Sequence, residues 1–342
     1  MKVDAFPDRT ITVDDKNYLY FGGTAYLGLA THKEFQNHII EGIRKWGAFF
    51  GSSRNANVKL SIYDIAESEL AEWVKAEATA TVSSGALAGK LVLDYLSKTS
   101  SSFFHYPKTH PAIVAKDSLP LFVNGKLHPK LTDQHKEHIM ISADAMLALE
   151  VYPTSFSFLE TISEYKTITL LLDESHSIGL LGESGCGIYS SINSARLKQK
   201  IMVSSLSKAL GLSGGLIAGN RLMINDIKNE SAFISSSSAN PAYLHAFVKG
   251  HDIYEVQQKN LKSNMAFLFS LLKPEIVESQ NEGYPVLYFQ KEGFYNSLLK
   301  RGIIITSFEY PSYTLPMNRV VITANHTKED LKTLASALNQ MA

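Results

Sequence analysis

The chain has 342 residues, enough for two domains or one large α/β unit with an appendage. Hydrophobic residues make up 45% of it, enough for a packed core, which excludes wholesale disorder. Thirty-three Lys and Arg balance 33 Asp and Glu, so no bulk charge draws the chain to nucleic acid or an anionic membrane. The lone Cys186 excludes an internal disulfide framework and fits a reducing compartment.

The first residues (MKVDAFPDRTITVDDK) are polar and hold no signal-peptide core. The longest apolar runs, such as Ile168 to Leu172, are far too short to span a bilayer. The expectation is a soluble, cytoplasmic protein. A helix is predicted from Ser61, where Ser61-x-x-Asp64 reads as a capping box ahead of Ile65, Leu70, Trp73 and Val74. Short apolar runs at Thr79–Ser83, Ile139–Ser142, Ile168–Leu172, Ile201–Ser204 and Leu216–Ala218 read as strands covered on both faces. Alternating with helical stretches, they predict a mostly parallel sheet with helices on both sides. Ser97–Ser102 and Ser235–Ser238 read as loops, the second followed by Asn240-Pro241. From about Tyr254 a long helical pattern stops before Pro274. Strand candidates follow at Val286–Phe289, Ile303–Thr306 and Val320–Thr323, then a last helix from Thr327-x-x-Asp330, together an α+β unit. The organisation expected is an N-terminal segment over 1–40, a large domain over 41–240 and a small one over 241–342.

Three stretches could carry chemistry. Asp173-Glu174-Ser175-His176 follows an apolar strand, so Asp173 falls at the strand's carboxyl end, where open α/β sheets place ligands. A strand-ending Asp that caps a turn fits equally well. Lys208 lies among Ser, Gly and apolar residues (Ser204 to Gly211). There desolvation would lower its pKa and make it a nucleophile able to form a Schiff base; a lone lysine is more often a surface residue. Ser83-Ser84-Gly85-Ala86 joins a strand to the helix that runs to Leu96. Its backbone N–H groups could cradle a phosphate, or Ser84 could be a plain cap. Together they are the protein-side parts a pyridoxal phosphate enzyme requires.

With these stretches the sequence resembles the α-oxoamine synthase family of fold-type I pyridoxal phosphate enzymes. The matches run from Tyr26-Leu27-Gly28-Leu29 to Asn325-His326-Thr327 and are strongest in DESHSIGLLGESGCG (173–187) and SLSKALGLSGG (205–215). GSSR (51–54), ESELA (67–71), SSGALA (83–88), SSSSANPA (235–242) and RVVITANHT (319–327) match as well. The resemblance implies an α/β transferase fold with a mostly parallel central sheet and a smaller C-terminal α+β domain. It implies that Lys208 holds pyridoxal 5'-phosphate and that Asp173 pairs with the ring nitrogen, so that the ring acts as an electron sink. His176 would bond the ring's phenolic oxygen and His110 would stack on the ring. Ser205, Ser84 and the backbone of Gly85 and Ala86 would bind phosphate, and Ser236 and Ser237 would reach the phosphate of a partner subunit in a homodimer. Arg319 would clamp the amino-acid carboxylate, and Thr24, where the family has Asn, would line the substrate site. Further departures are Tyr63 for His, Ala66 for Leu, and Ala145-Met146-Leu147-Ala148 for a Ser-Met-Asp-Gly signature; they fall on the acyl-donor side rather than the cofactor side.

The implied activity is decarboxylative condensation of a small amino acid with an acyl thioester of coenzyme A or a carrier protein, with the biotin pathway favoured. An aminotransferase, a 2-amino-3-ketobutyrate-type ligase and a cofactor-binding regulatory protein are the alternatives. Gly211-x-Ser213-x-Gly215 fits the hydrolase pattern, but Lys208 separates it from the strand. His135 and His138 are expected on a solvated helix face, without a full metal-ligand set.

Overall fold

The computed structural model describes residues 1–281, 283–308 and 317–341. Strands β1 (Thr10–Val13) and β2 (Lys16–Phe21) form a hairpin, followed by helices α1 (Lys33–Trp46) and α2 (Ser61–Val74). Then come β3 (Ala78–Val82), α3 (Gly85–Leu96), β4 (Ser102–His105), β5 (Leu119–Pro120) and a small hairpin of β6 (Phe122–Val123) and β7 (Lys126–Leu127). Strands β8 (Glu137–Asp144), β9 (Lys166–Asp173), β10 (Leu197–Ser205) and β11 (Gly215–Gly219) complete the large sheet. Helices α4 (Arg221–Asn229), α5 (Ser231–Ser235), α6 (Pro241–Lys249), α7 (His251–Phe269) and α8 (Pro274–Val277) lead to β12 (Val286–Phe289), α9 (Phe294–Leu299), β13 (Ile303–Phe308), β14 (Met317–Val321) and α10 (Lys328–Asn339).

The large sheet has the order β3-β11-β10-β9-β8-β4-β5, parallel throughout except β11, which runs against both neighbours. Its central strands are apolar on both faces because each face has its own core. Ile139, Ile141, Leu170 and Leu172 enter one apolar cluster; Met140, Leu171, Ile201 and Val203 enter the other. That alternation places helices on both sides of the sheet. The parallel register sets Asp144 opposite Asp173, and Val203 beside Asp173, so the carboxyl ends of β8, β9 and β10 form one row.

The smaller sheet has the order β1-β2-β13-β14-β12. It therefore takes strands from both the first and the last part of the chain, β2 running parallel to β13. Around it, Asn325 donates to the Gly28 carbonyl at 3.0 Å and to Asp8 at 2.9 Å, and Gln257 donates to the Leu27 carbonyl at 2.7 Å. Gly28 adopts φ +64°, where a side chain would be strained and would also run into Asn325.

Several local expectations change. Ser61 is the first helical residue; Leu60 holds the cap position with no side-chain hydrogen bond, so no capping box forms there. The box at Thr327 does form, with Asp330 N donating to Thr327 Oγ1 at 3.2 Å and Thr327 N donating to Asp330 Oδ2 at 2.9 Å. Ser102 begins β4 rather than ending a loop, and the last strand is Met317–Val321 rather than Val320–Thr323. His135 and His138 share no helix. His138 lies in β8, its ring nitrogens 2.9 Å from the Thr99 carbonyl and 2.8 Å from Thr169 Oγ1, while His135 precedes the strand.

Candidate active site

Asp173 ends β9 and is half-buried. Its Oδ1 accepts from Ser175 N at 2.8 Å, and Ser175 Oγ accepts from Ser205 N at 2.7 Å, which ties the ends of β9 and β10 together. Glu174 takes no part in this cleft. It is wholly buried and accepts from Ile188 N (2.8 Å), Tyr189 N (2.6 Å) and Ser177 Oγ, closing the loop behind the strand end. Burial pushes its carboxyl up to about 7 against the pull of those donors.

Lys208 lies three residues past β10, and its Nζ is 2.9 Å from His176 Nε2. Burial lowers the lysine's pKa, while Asp173 and Asp144 act to raise it. His176 is held well below the ordinary histidine range, first by burial and then by the positive charges of Lys208 and Arg319. The imidazole is therefore neutral and keeps one ring proton. Its Nδ1 is 3.0 Å from the Tyr26 hydroxyl, and its backbone carbonyl accepts from Tyr284 Oη at 3.2 Å.

Helix α3 opens beside this pair. Ser84 caps it by accepting from Leu87 N at 3.2 Å, leaving the N–H groups of Gly85 and Ala86 without intrahelical partners. Gly85 packs so closely on Ser205 that an added Cβ would lie 2.8 Å from Ser205 Cα. Ser205 Oγ is 2.8 Å from Ser207 Oγ. The close approach puts the Ser205 hydroxyl and the start of α3 side by side, a concentration of donors suited to an anion.

Arg319 comes from the other sheet. In β14 it pairs with Tyr288 on one side and Thr306 on the other. Its side chain is buried; Nη2 donates to the Gly23 carbonyl at 2.9 Å and Nε has no partner among the described residues. Thr24 is the next residue along from Gly23, half-buried in the turn before Tyr26. His110 has an exposed ring, its backbone N donating to Asp144 Oδ1 at 3.1 Å and its Nδ1 accepting from Ala112 N. Ser236 donates to the Phe233 carbonyl and Ser237 is exposed; among the described residues no hydrogen bond joins them to Lys208 or α3. No group of three or more His, Cys, Asp or Glu side chains among the described residues could hold a metal.

Motif reasoning overlooked Asp144, Tyr284 and Tyr288, and met Tyr26 only as part of a motif. Asp144 is buried at the end of β8, its pKa raised well above the usual range by burial and then by Asp173. Its only sequence signal is that it ends an apolar strand, as Asp173 does. Tyr288 arrives from β12 of the small sheet and Tyr284 from just before that strand, and no spacing links them to residue 176. Tyr63, at a departure from the family pattern, donates to the Ala239 carbonyl at 2.9 Å, lies 2.6 Å from Ser238 Oγ and stacks under Arg54.

Residues 155–338 match the family described as aminotransferase class I and II. Among curated relatives, the 8-amino-7-oxononanoate synthase of Lysinibacillus sphaericus is 27% identical, covering 98% of this chain and 91% of its own. The enzyme of that name from Petrotoga mobilis is 28% identical, covering 94% and 87%. Among solved structures, Sphingomonas wittichii serine palmitoyltransferase superposes with a TM-score of 0.82 at 14% identity, covering 99% of this chain and 91% of that one. The 8-amino-7-oxononanoate synthase of Francisella tularensis gives 0.66 at 21% identity, covering 95% and 97%. The α/β fold is that of these transferases.

Proposed function

Because the chain belongs to the aminotransferase class I and II family, we propose that it is a pyridoxal phosphate enzyme of the α-oxoamine synthase type. It condenses a small amino acid with an acyl thioester, with loss of carbon dioxide, as the names of its 8-amino-7-oxononanoate synthase relatives suggest. The observation that carries this reading is the 2.9 Å pairing of Lys208 with His176 beside a strand-end carboxylate and an open helix N-terminus.

The residues fit the cofactor. They offer an amine, a carboxylate with one oxygen engaged by Ser175, and N–H groups at the start of α3 that lack intrahelical partners. The buried Arg319 Nε, with no partner among the described residues, fits a substrate carboxylate, which an arginine fork can bind at two points. When bound, the cofactor supplies an electron sink for the carbanion formed at the amino acid's Cα. Lys208, its pKa lowered by burial, removes and returns the Cα proton. Asp173 holds positive charge at the ring nitrogen, and His176 offers a ring proton to the phenolic oxygen. His110, at the exposed edge, covers the open face. Ser84, Gly85, Ala86 and Ser205 hold the phosphate.

The protein works as a cytoplasmic homodimer in this reading. Phe49 and Val58 are 62% and 66% exposed, and their loop is tied to residues 234–240 by Ser53 Oγ donating to the Ile234 carbonyl and Asn240 Nδ2 to the Ala48 carbonyl. An apolar face beside Ser236 and Ser237 supports a partner subunit whose site those serines complete. No helix among the described residues is long and apolar enough to cross a membrane.

The test is borohydride reduction of the protein loaded with pyridoxal 5'-phosphate, followed by peptide mapping. The label is expected on Lys208 and absent from Lys208→Ala; an unmodified Lys208 overturns the reading. Release of carbon dioxide from amino acid only when an acyl thioester is added supports condensation. Complete conversion of bound cofactor to pyridoxamine phosphate by an amino acid alone would assign an aminotransferase instead.

A further inference from the structure

We propose that Tyr288 is a positioning residue for Arg319: its hydroxyl latches the strands that carry the arginine to the loop after β8, and so sets where an amino-acid carboxylate is held. The part about the carboxylate rests on the reading above; the latch needs only this chain.

Tyr288, Arg319 and Thr306 are direct partners across β12, β14 and β13, so their side chains leave the small sheet on one face, as a row. At the Thr306 end the row is fastened to the turn after β2. Thr306 Oγ1 accepts from Gly23 N at 3.0 Å, and Arg319 Nη2 donates to the Gly23 carbonyl at 2.9 Å. At the other end Tyr288 Oη donates to the Ala148 carbonyl. Burial raises the pKa of this phenol, so the hydroxyl keeps the proton it donates. The arginine thus lies between two anchors.

Ala148 belongs to the large sheet's side of the cleft. Its loop leaves β8 at Asp144 and is pinned to the strand ends. Ala145 N donates to the Asp173 carbonyl at 2.8 Å, while Thr154 donates through N to the Ala145 carbonyl at 2.9 Å and through Oγ1 to the Asp144 carbonyl at 2.6 Å. Tyr284, just before β12, makes the matching bond one strand over, to the carbonyl of His176 beyond β9, at 3.2 Å. Two phenols therefore seat the start of β12 against the carboxyl ends of two neighbouring parallel strands. Strand β12 is an edge of its sheet, and Gln280 clamps Tyr288 there, accepting from its N at 3.0 Å and donating to its carbonyl at 3.1 Å.

Lys208 and His176 stand on the large sheet and Arg319 on the small one. An α-amino acid has a single carbon between its amine and its carboxylate, so the gap between Lys208 and Arg319 must be held closely for both groups to be met at once. Tyr288 closes that gap from the position beside the arginine. Phenylalanine there keeps the ring and removes only the bond.

The test compares ligands with and without a carboxylate. Protein loaded with pyridoxal phosphate is titrated, by absorbance, with the best bound of glycine, alanine and serine and with the matching amine (methylamine, ethylamine or ethanolamine). Tyr288→Phe is expected to lose affinity for the amino acid about tenfold, the scale of one hydrogen bond, and to bind the amine within about twofold of the wild type. In an Arg319→Leu background the same change is expected to add nothing. Equal losses for both ligands, no loss for either, or additive losses in the double variant overturn the proposal. The latch is read without cofactor, from hydrogen exchange at Glu150 and Thr154, whose amides are bonded within the loop. Faster exchange there in Tyr288→Phe supports the latch; unchanged exchange overturns it. Should that variant fail to fold, the loaded wild type decides, because coupling is reciprocal. The amino acid is expected to slow exchange in the loop and the amine to leave it unchanged; equal effects overturn the proposal. A loaded wild type that binds no amino acid, or an Arg319→Leu that binds it fully, would strike at the reading above and leave the cofactor-free exchange to judge the latch.

Discussion

Glu174 and Asp173 are neighbours with opposite fates. Asp173 stays at the open end of β9, while Glu174 turns inward and fastens residues 177–189. The inward carboxyl has a folded pKa of about 7, above its ordinary value near 4.5. A group raised on folding contributes stability that is complete below its unfolded pKa and is lost as pH rises through the folded one. The wild type is therefore expected to lose on the order of 2 kcal/mol between pH 5 and 8 relative to Glu174→Gln. Melting curves of both proteins across that range check this; a gap that does not change with pH contradicts it. At this scale the sequence was informative where chemistry is local. Lys208, Asp173 and His176 lie in two compact motifs and come together in the structure. Asp144 stayed hidden because only the β8–β9 register brings it opposite Asp173. Tyr26 and Tyr284 stayed hidden because they reach His176 from the turn after β2 and from beside the small sheet.

Among the elements, the central strands were legible because burial on two faces demands unbroken apolar runs, as in residues 168–172. Strand β4 was not, since Ser-Phe-Phe-His follows a run of serines that reads as a loop. The hairpin of β1 and β2 was missed because its outer strand is exposed and alternates weakly. Ser61 misled because a cap is defined by backbone geometry, and the helix begins one position earlier than the Ser-x-x-Asp pattern implies. The junction of α3 with β10 gives a sharp test. Gly85→Ala sets a methyl group 2.8 Å from Ser205 Cα and N, so backbone must move. The cost expected is about 1–3 kcal/mol of stability. Because the shift displaces the N–H groups proposed for phosphate, the affinity for pyridoxal phosphate is expected to fall at least tenfold. A thermal melt and a cofactor titration measure the two effects; loss of stability with full affinity would remove Gly85 from the phosphate site.

For the whole molecule, the exposed Phe49 and Val58 beside the 234–240 segment bear on assembly. A dimer is expected in sedimentation at micromolar concentration. Phe49→Asp combined with Val58→Asp is expected to yield monomers that bind pyridoxal phosphate weakly, since Ser236 and Ser237 would no longer meet a partner. A wild type that sediments only as a monomer overturns the two-subunit reading. The overall α/β architecture was apparent from the alternation of apolar runs and helical stretches, but the closure of the small sheet by β1 and β2 was not. Parallel pairing of β2 with β13 joins residues almost three hundred positions apart, and no local pattern announces it.

That pairing also sets a timetable for synthesis. Residues 78–219, which carry every strand of the large sheet, can collapse while the ribosome is still at work. The hairpin at residues 10–21 has no such option, because its neighbour at 303–308 is translated almost three hundred positions later. Until then the newborn chain displays an open strand edge, a surface that a holdase would shield. Arg319 emerges in the same late interval, so the cleft acquires its buried arginine only when these two distant segments have been sewn together.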